Sequence, residues 1–307
     1  MKIFLTGASG FIGSHLVERL SRNNYHIHCM QSDLTDYAAV QEELHQADPN
    51  IIVHLAARTE VEKSFYEQTV FSETNYVGTV NLVDAAAKLS HLKNFVFAST
   101  MEVYGWQPVS DQIKQGQQLD QVPAFDETTI PNPNAPYAVA KYACEKYLQY
   151  AHRAFGLPFT AIRQTNTYGR RDNDFFVVEQ IVTQMLRDPA EVNLGYGTPY
   201  RNFLFIDDLI DLWCVIIENY QQVNDAQIFT IGPNNAVTII ELANTVADKL
   251  GWHGRINWNT KPKRPGEIYI LNSTNQLVTK KTGWRPTVDL NTGLDRTIEI
   301  WKNNLNC

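Results

Sequence analysis

The chain has 307 residues, a formal net charge of −7 and 19% charged residues. That length suits one α/β domain with a smaller one appended, and the negative balance argues against nucleic acid as the main partner. No apolar run approaches membrane-spanning length, and Met1-Lys2 leads straight into an apolar strand, so neither a membrane anchor nor a secretory leader is expected. Four scattered cysteines, Cys29, Cys144, Cys214 and Cys307, show no paired or metal-ligand spacing and read as reduced thiols of a cytoplasmic protein without a metal site.

In chain order, Ile3-Phe4-Leu5 reads as a buried strand that breaks at Gly7, with Gly10 and Gly13 following at three-residue steps. Phe11, Ile12, Leu16, Val17 and Leu20 then fall near helical spacing. Strand, glycine turn and helix open a dinucleotide-binding βαβ unit. Gly7 permits the tight turn, Gly10 leaves room for a pyrophosphate, and Gly13 lets the helix pack close to the strand. The helix N-terminus offers free N–H groups to phosphates. The spacing is Gly-x-x-Gly-x-x-Gly, not the commoner Gly-x-Gly-x-x-Gly.

A second strand is expected over 25–30, a helix over 37–46, and a third strand over 50–55 that ends at Ala56-Ala57. A long helix follows over 71–89, then a strand over 95–98. The hydroxyls of Ser99-Thr100 stand at that strand's carboxyl end, where doubly wound sheets bind ligands. Trp106 to Pro136 is a polar stretch of about thirty residues holding Gln112, Gln115, Gln117, Gln118 and Gln121, beyond the usual loop range. It reads as a lid, an oligomer contact or a solvated excursion. A helix over 137–155 carries Tyr137 and Lys141 at i,i+4, on one face. A nearby ammonium favours phenolate, which makes the tyrosine a usable proton acceptor near neutral pH. Strands are expected over 159–163, 203–206 and 227–231. Strands alternating with helices imply an α/β fold with a doubly wound parallel sheet covered on both faces.

The chain resembles the extended short-chain dehydrogenase/reductase family, in its nucleotide-sugar epimerase/dehydratase branch. The resemblance rests on Thr6-Gly-Ala-Ser-Gly-Phe-Ile-Gly13, Ile52-Val-His-Leu-Ala-Ala57, Asn75-Tyr-Val-Gly-Thr-Val-Asn-Leu82 and Ser99-Thr-Met-Glu-Val-Tyr-Gly105. It continues through Tyr137/Lys141, Asn166-Thr-Tyr-Gly169, Arg201-Asn-Phe-Leu-Phe-Ile-Asp-Asp208, Arg264-Pro-Gly266 and Gly283-Trp-Arg-Pro286. It implies a Rossmann domain over 1–165, with a segment near 203–230 returning to it. The region 166–307 is then mainly a smaller C-terminal α/β part that binds a nucleoside-diphosphate sugar.

By the same resemblance, NAD or NADP is contacted by Gly7, Ser9, Gly10, Phe11, Ile12, Gly13, Leu55, Ala56, Ala57, Asn75 and Ala98, together with Tyr137 and Lys141. Asp33-Leu34 resembles an adenine-contacting turn, which places Gln31 and Ser32 nearest the ribose. Both are neutral and would not repel a 2′-phosphate, although no arginine is there to attract one. The choice between the two dinucleotides stays open, tilted toward NADP.

The resemblance also assigns chemistry. Thr100 bridges the sugar O4 and Tyr137, Tyr137 accepts the O4 proton, Lys141 binds the nicotinamide ribose, and Glu102 takes a C5 proton as in 4,6-dehydratases. Arg58, Ser99, Asn166, Arg201 and Arg264 are the candidate substrate contacts. Arg170-Arg171, Lys261 and Lys263 are expected on solvated faces, and His15 and His54 in structural or surface roles. A 4,6-dehydratase is placed ahead of a 4-epimerase, a 4-keto reductase and a nucleotide-sugar decarboxylase. The non-enzyme alternative is a dinucleotide-sensing regulator, a kind of protein that often lacks the Tyr/Lys pair. By the same resemblance, the helices over 71–89 and 137–155 match a pair that forms a four-helix contact about a two-fold axis, which implies a homodimer.

Overall fold

The computed structural model describes residues 1–23 and 25–305, so Cys307 lies outside the described residues. The first half alternates β1 (Lys2–Thr6), α1 (Phe11–Ser21), β2 (His26–Cys29), α2 (Tyr37–Ala47) and β3 (Ile51–His54). Two short helices, α3 (Val61–Ser64) and α4 (Gln68–Ser72), lead through a π-helical turn at Glu73–Val77 into α5 (Gly78–Ala86) and β4 (Asn94–Thr100). Next come α6 (Val109–Lys114), α7 (Pro136–Phe155), β5 (Phe159–Gln164) and β6 (Asn166–Tyr168). The second half holds α8 (Val177–Arg187), β7 (Glu191–Asn193), β8 (Tyr200–Arg201), β9 (Phe203–Phe205), α9 (Ile206–Glu218) and α10 (Tyr220–Val223). It closes with β10 (Gln227–Thr230), β11 (Val237–Thr238), α11 (Ile239–Leu250), β12 (Arg255–Asn257), β13 (Ile270–Leu271), α12 (Gln276–Thr282) and α13 (Leu290–Leu305).

Six strands form one parallel sheet in the order β2-β1-β3-β4-β5-β10. The chain goes outward from β1 to β2 and returns on the other side of β1 at β3. This reversal opens a crevice beyond the carboxyl ends of β1 and β3. Successive side chains of a strand face opposite sides of the sheet. Ile3, Leu5, Ile51 and Val53 therefore pack with Leu16, Leu20 and Leu209 of α1 and α9. Phe4, Ile52, Phe95 and Phe97 pack on the other face with Val40, Leu82 and Leu148 of α2, α5 and α7. All of β3 and β4 is buried, as expected of a parallel sheet covered on both faces.

The helix expected over 71–89 is present but divided. Its π-helical turn inserts an extra residue between α4 and α5. The segment β9–α9–β10 carries the chain back to the sheet, and Arg19 of α1 pairs with Asp211 of α9 at 2.5 Å. The apolar cluster that starts at Ile3 runs on through Trp213, Val246 and Leu294 to Trp301.

The polar stretch Trp106 to Pro136 is not simply a solvated excursion. Val109, Ile113, Val122 and Phe125 form a third apolar cluster with Met101, Tyr104, Ile268, Ile270 and Leu271. The Phe125 amide donates to the Asn272 carbonyl at 2.7 Å, and the Thr274 amide donates back to the Phe125 carbonyl at 3.0 Å. Gln112, Gln115, Gln118 and Gln121 are exposed, while the buried Val109, Ile113, Val122 and Phe125 seal the segment onto the C-terminal part. Cys29, Cys144 and Cys214 are free, and no helix among the described residues is long and apolar enough to cross a membrane.

Candidate active site

A cleft of about 1040 Å³ runs from the glycine turn at the carboxyl end of β1, past the end of β4, to the 194–203 and 261–267 segments. Gly7, Ser9, Gly10, Phe11, Ile12, Gly13, Leu55, Ala56, Ala57 and Ala98, the expected dinucleotide contacts, all line it. Gly7 has φ +73°, and a Cβ on it would stand 2.6 Å from the Ala56 amide nitrogen. A Cβ on Gly13 would lie 2.0 Å from the Gly7 carbonyl oxygen. Gly13 thus lets α1 sit against the turn itself, and the expected close approach to the strand is not what demands a glycine. Gly10 caps α1 without a side-chain bond, and the first turn of the helix holds no acidic residue. Open amides at a helix N-terminus, beside a cradle that any side chain would fill, fit the diphosphate of a dinucleotide.

Gln31, Ser32, Asp33 and Leu34 stand beyond β2 and do not line the cleft. Here the structure adds a residue that the sequence did not flag. Glu43 of α2 accepts the amides of Gln31 and Ser32, each at 2.8 Å, and pairs with His28 at 2.7 Å. Burial pushes its carboxyl up, but the hydrogen bonds from Ser32, His28 and Gln31 outweigh that and hold it at about 2. Asp33 accepts the amide and hydroxyl of Thr35, both at 2.8 Å, and so closes its own turn. Leu34 is buried where a Cβ on Gly78 would meet it at 2.8 Å.

Asn75 and Arg58 are not brought into the cleft either. The Asn75 side chain accepts from the Arg58 amide at 2.8 Å and donates to the Arg58 carbonyl at 2.9 Å, which fixes the chain as it leaves β3. The Arg58 guanidinium turns toward Glu67, 3.4 Å away. His54 bridges Thr6 and Thr79 at 2.7 and 2.9 Å. Burial, with Lys141 nearby, depresses it to about 3, so it is a neutral core residue as expected.

Thr100, Glu102, Tyr137 and Lys141 meet in the cleft. β4 ends at Thr100, whose side chain accepts the Glu102 amide at 3.2 Å and so starts the 3-10 turn that carries the glutamate. Pro136 opens α7, placing Tyr137 and Lys141 in its first two turns. Lys141 does not lower the tyrosine pKa as expected. Its ammonium donates to the Ala98 carbonyl at 2.8 Å and lies 4.8 Å from the centre of the Phe97 ring. Burial raises the Tyr137 pKa well above its usual 10.0, and the nearby Thr100 hydroxyl opposes this only in part. Burial also lowers Lys141 to about 8.

At the far end, Glu267 holds both candidate arginines, although the sequence reading passed over it. Arg264 donates to Glu267 through Nε at 3.0 Å and Nη2 at 2.9 Å, and Arg201 does so through Nη2 at 3.2 Å. Two guanidinium groups on one carboxylate leave one positive charge in excess. Burial raises the Glu102 pKa, while Arg201 and Arg264 pull it back. Asn166 lines the cleft, with its amide donating to the Asn202 carbonyl at 3.2 Å. Ser99 also lines it, but its hydroxyl donates to Glu145 at 2.5 Å, inside a buried pair that Arg163 completes at 2.9 and 2.7 Å. Met101 turns into the third apolar cluster, where its sulfur accepts the Thr165 hydroxyl at 2.8 Å. Lys261 and Arg170, expected on solvated faces, both line the cleft. No group of three or more His, Cys, Asp or Glu among the described residues could hold a metal.

The sequence profile of the NAD dependent epimerase/dehydratase family matches residues 3–232. Over 98% of its length the chain is 27% identical to a putative UDP-glucose 4-epimerase of Methanocaldococcus jannaschii, covering 99% of that protein. It is likewise 27% identical over 99% of its length to dTDP-glucose 4,6-dehydratase 1 of Escherichia coli, covering 93% of it. Among solved structures, UDP-glucose 4-epimerase of Thermotoga maritima with UDP-glucose matches with a TM-score of 0.86 at 28% identity, over 99% of this chain and 100% of that one.

Proposed function

Since the chain belongs to the NAD dependent epimerase/dehydratase family, we propose that it acts on a nucleoside-diphosphate sugar by transient oxidation at C4, with 4,6-dehydration as the net reaction. The observation that carries this reading is Glu102, held in one cleft with Thr100, Tyr137 and Lys141 on one side and Arg201 and Arg264 on the other. When bound, the dinucleotide supplies the hydride acceptor and a positive charge. That charge would offset the rise that burial gives Tyr137, which as phenolate takes the O4 proton, and Thr100 hydrogen-bonds the same oxygen. A ketone at C4 acidifies the C5 proton. Glu102, as a carboxylate, takes that proton and returns it to the C6 hydroxyl, which leaves as water. The C5=C6 bond so formed would take the hydride back at C6 and a solvent-derived proton at C5, which closes the redox balance. A carboxyl with a pKa raised by burial suits both steps. Met101 is apolar and turned away, so Glu102 performs them without a neighbouring acid. The surplus positive charge of the Arg201–Arg264–Glu267 group faces the substrate diphosphate.

The second reading is 4-epimerisation, which the name of the M. jannaschii relative favours. It uses Thr100, Tyr137 and Lys141 and leaves Glu102 idle. The reactions separate when the protein is incubated with UDP-, dTDP- and GDP-sugars in deuterated water and the products are analysed by mass and NMR. Loss of water with deuterium entering at C5 is expected, and Glu102→Gln should slow it by about 10²–10⁴-fold. Turnover without C5 exchange overturns dehydration, and loss of carbon dioxide would indicate a decarboxylase.

The proposal includes NAD rather than NADP. Gln31 and Ser32 alone tilt the choice the other way, but their amides are already occupied by an ionised Glu43. It also includes a cytoplasmic setting, suited to free Cys29, Cys144 and Cys214, and a homodimer through α4, α5 and α7.

A further inference from the structure

Arg170 is held between two rings, with its guanidinium carbon 4.2 Å from the centre of Phe11 and 3.8 Å from that of Phe176. Phe11 is the first residue of α1, at the uncapped helix N-terminus, and Phe176 immediately precedes α8. The stack therefore ties the glycine turn to the C-terminal part across the cleft. Nη1 of Arg170 donates to the Thr167 carbonyl at 2.6 Å and lies 3.5 Å from Glu179. Glu179 is fully buried and accepts the amides of Gly169 and Arg170 at 2.9 and 3.0 Å, which anchors the segment. Nε and Nη2 of Arg170 have no hydrogen-bond partner among the described residues, and the side chain borders the cleft.

Five lysines and arginines line the cleft: Lys141, Arg170, Arg201, Lys261 and Arg264. Lys141 is committed to Ala98, and Arg201 and Arg264 to Glu267. Among the five, Arg170 is the one stacked on a residue of the glycine turn's own helix. A guanidinium already flattened between rings gives up little freedom when it takes an anion, and it keeps its N–H edge available for phosphate oxygens.

We propose that Arg170 is a binding residue for the diphosphate of the nicotinamide dinucleotide, a cation that the C-terminal part contributes to the site at the N-terminus of α1. This rests on the dinucleotide reading of the glycine turn and not on which sugar reaction follows. Calorimetric titration of the full chain with NAD, and separately with UDP, tests it. Arg170→Met keeps an apolar stem between the rings and removes the charge. It should weaken NAD binding about 10- to 100-fold, the worth of a charged hydrogen bond. It should also flatten the salt dependence of NAD binding and leave UDP binding unchanged. Arg170→Lys restores the charge and should recover part of the loss, and it serves alone if the methionine variant does not fold. Wild-type NAD affinity in both variants overturns the proposal. So does loss of UDP rather than NAD binding, which would assign the cation to the substrate, and so does an equal loss in both variants, which would leave only a packing role. Failure of the wild-type chain to bind either dinucleotide would instead sink the dinucleotide reading itself.

Discussion

Glu43 takes the amide hydrogens of Gln31 and Ser32, the two donors at the end of β2 that a 2′-phosphate would use. Because it is an ionised carboxylate, it also opposes a second anion nearby. Wild-type protein is therefore expected to bind NAD at least about tenfold more tightly than NADP, a difference of roughly one charged contact. Glu43→Gln should narrow that ratio in paired calorimetric titrations, and tighter wild-type binding of NADP would defeat the argument. The same group sets an acid limit. Its folded pKa of about 2 lies below the ordinary 4.5, so its contribution to stability is present above pH 4.5 and is lost as pH falls toward 2. Discounted for its partial contact with solvent, Glu43→Gln should cost about 1–2 kcal/mol at neutral pH and little near pH 2. Urea melts of both proteins at several pH values would show the two curves converging in acid.

The pairing of helices can be read from what α4, α5 and α7 leave uncovered. Val70 and Val77, seven residues apart, are 38% and 43% exposed, while Val139 and Tyr150, eleven apart, are 51% and 44% exposed. The spacing on α7 returns to the same helix face, while the π-helical turn shifts the register between Val70 and Val77, which are marked by their exposure alone. Ala85 and Ala86 are buried against the sheet and are not part of that surface. Two copies packed on this face would make a four-helix contact about a two-fold axis. Val139→Glu is expected to convert a dimer into a monomer in light scattering at micromolar concentration, and a wild-type monomer under those conditions would refute the contact. The 106–136 segment makes the opposite point about legibility. Its glutamines dominate the pattern, and Val109, Ile113, Val122 and Phe125 acquire meaning only once Ile268, Ile270 and Leu271 stand opposite them.

Across the whole molecule one apolar cluster joins the first strand to the last helix, from Ile3 and Leu5 through Trp213 and Val246 to Trp301. Elements that share a core lose it together. A single calorimetric unfolding transition is therefore expected, shifted upward by NAD in proportion to the logarithm of its concentration. Two separated transitions, with only the first responding to NAD, would show that the parts melt independently.

The glycine turn, the strand–helix alternation, the hydroxyls of Ser99-Thr100 and the Tyr137/Lys141 pair were legible in the sequence because each depends on local spacing, whereas Glu102 entered only through the family resemblance. A glycine step, a helical i,i+4 pair and a hydroxyl at a strand end keep their meaning wherever the chain goes. What lies opposite a residue does not follow from spacing. Tertiary packing aims Lys141 at Ala98 instead of the phenol, turns the Ser99 hydroxyl into the Glu145–Arg163 pair, and closes Arg201 and Arg264 on Glu267. It likewise sends Arg58 toward Glu67 and draws Arg170 between Phe11 and Phe176. A charge takes its role from its partners and from the water it loses, and both are set by segments far apart in the chain.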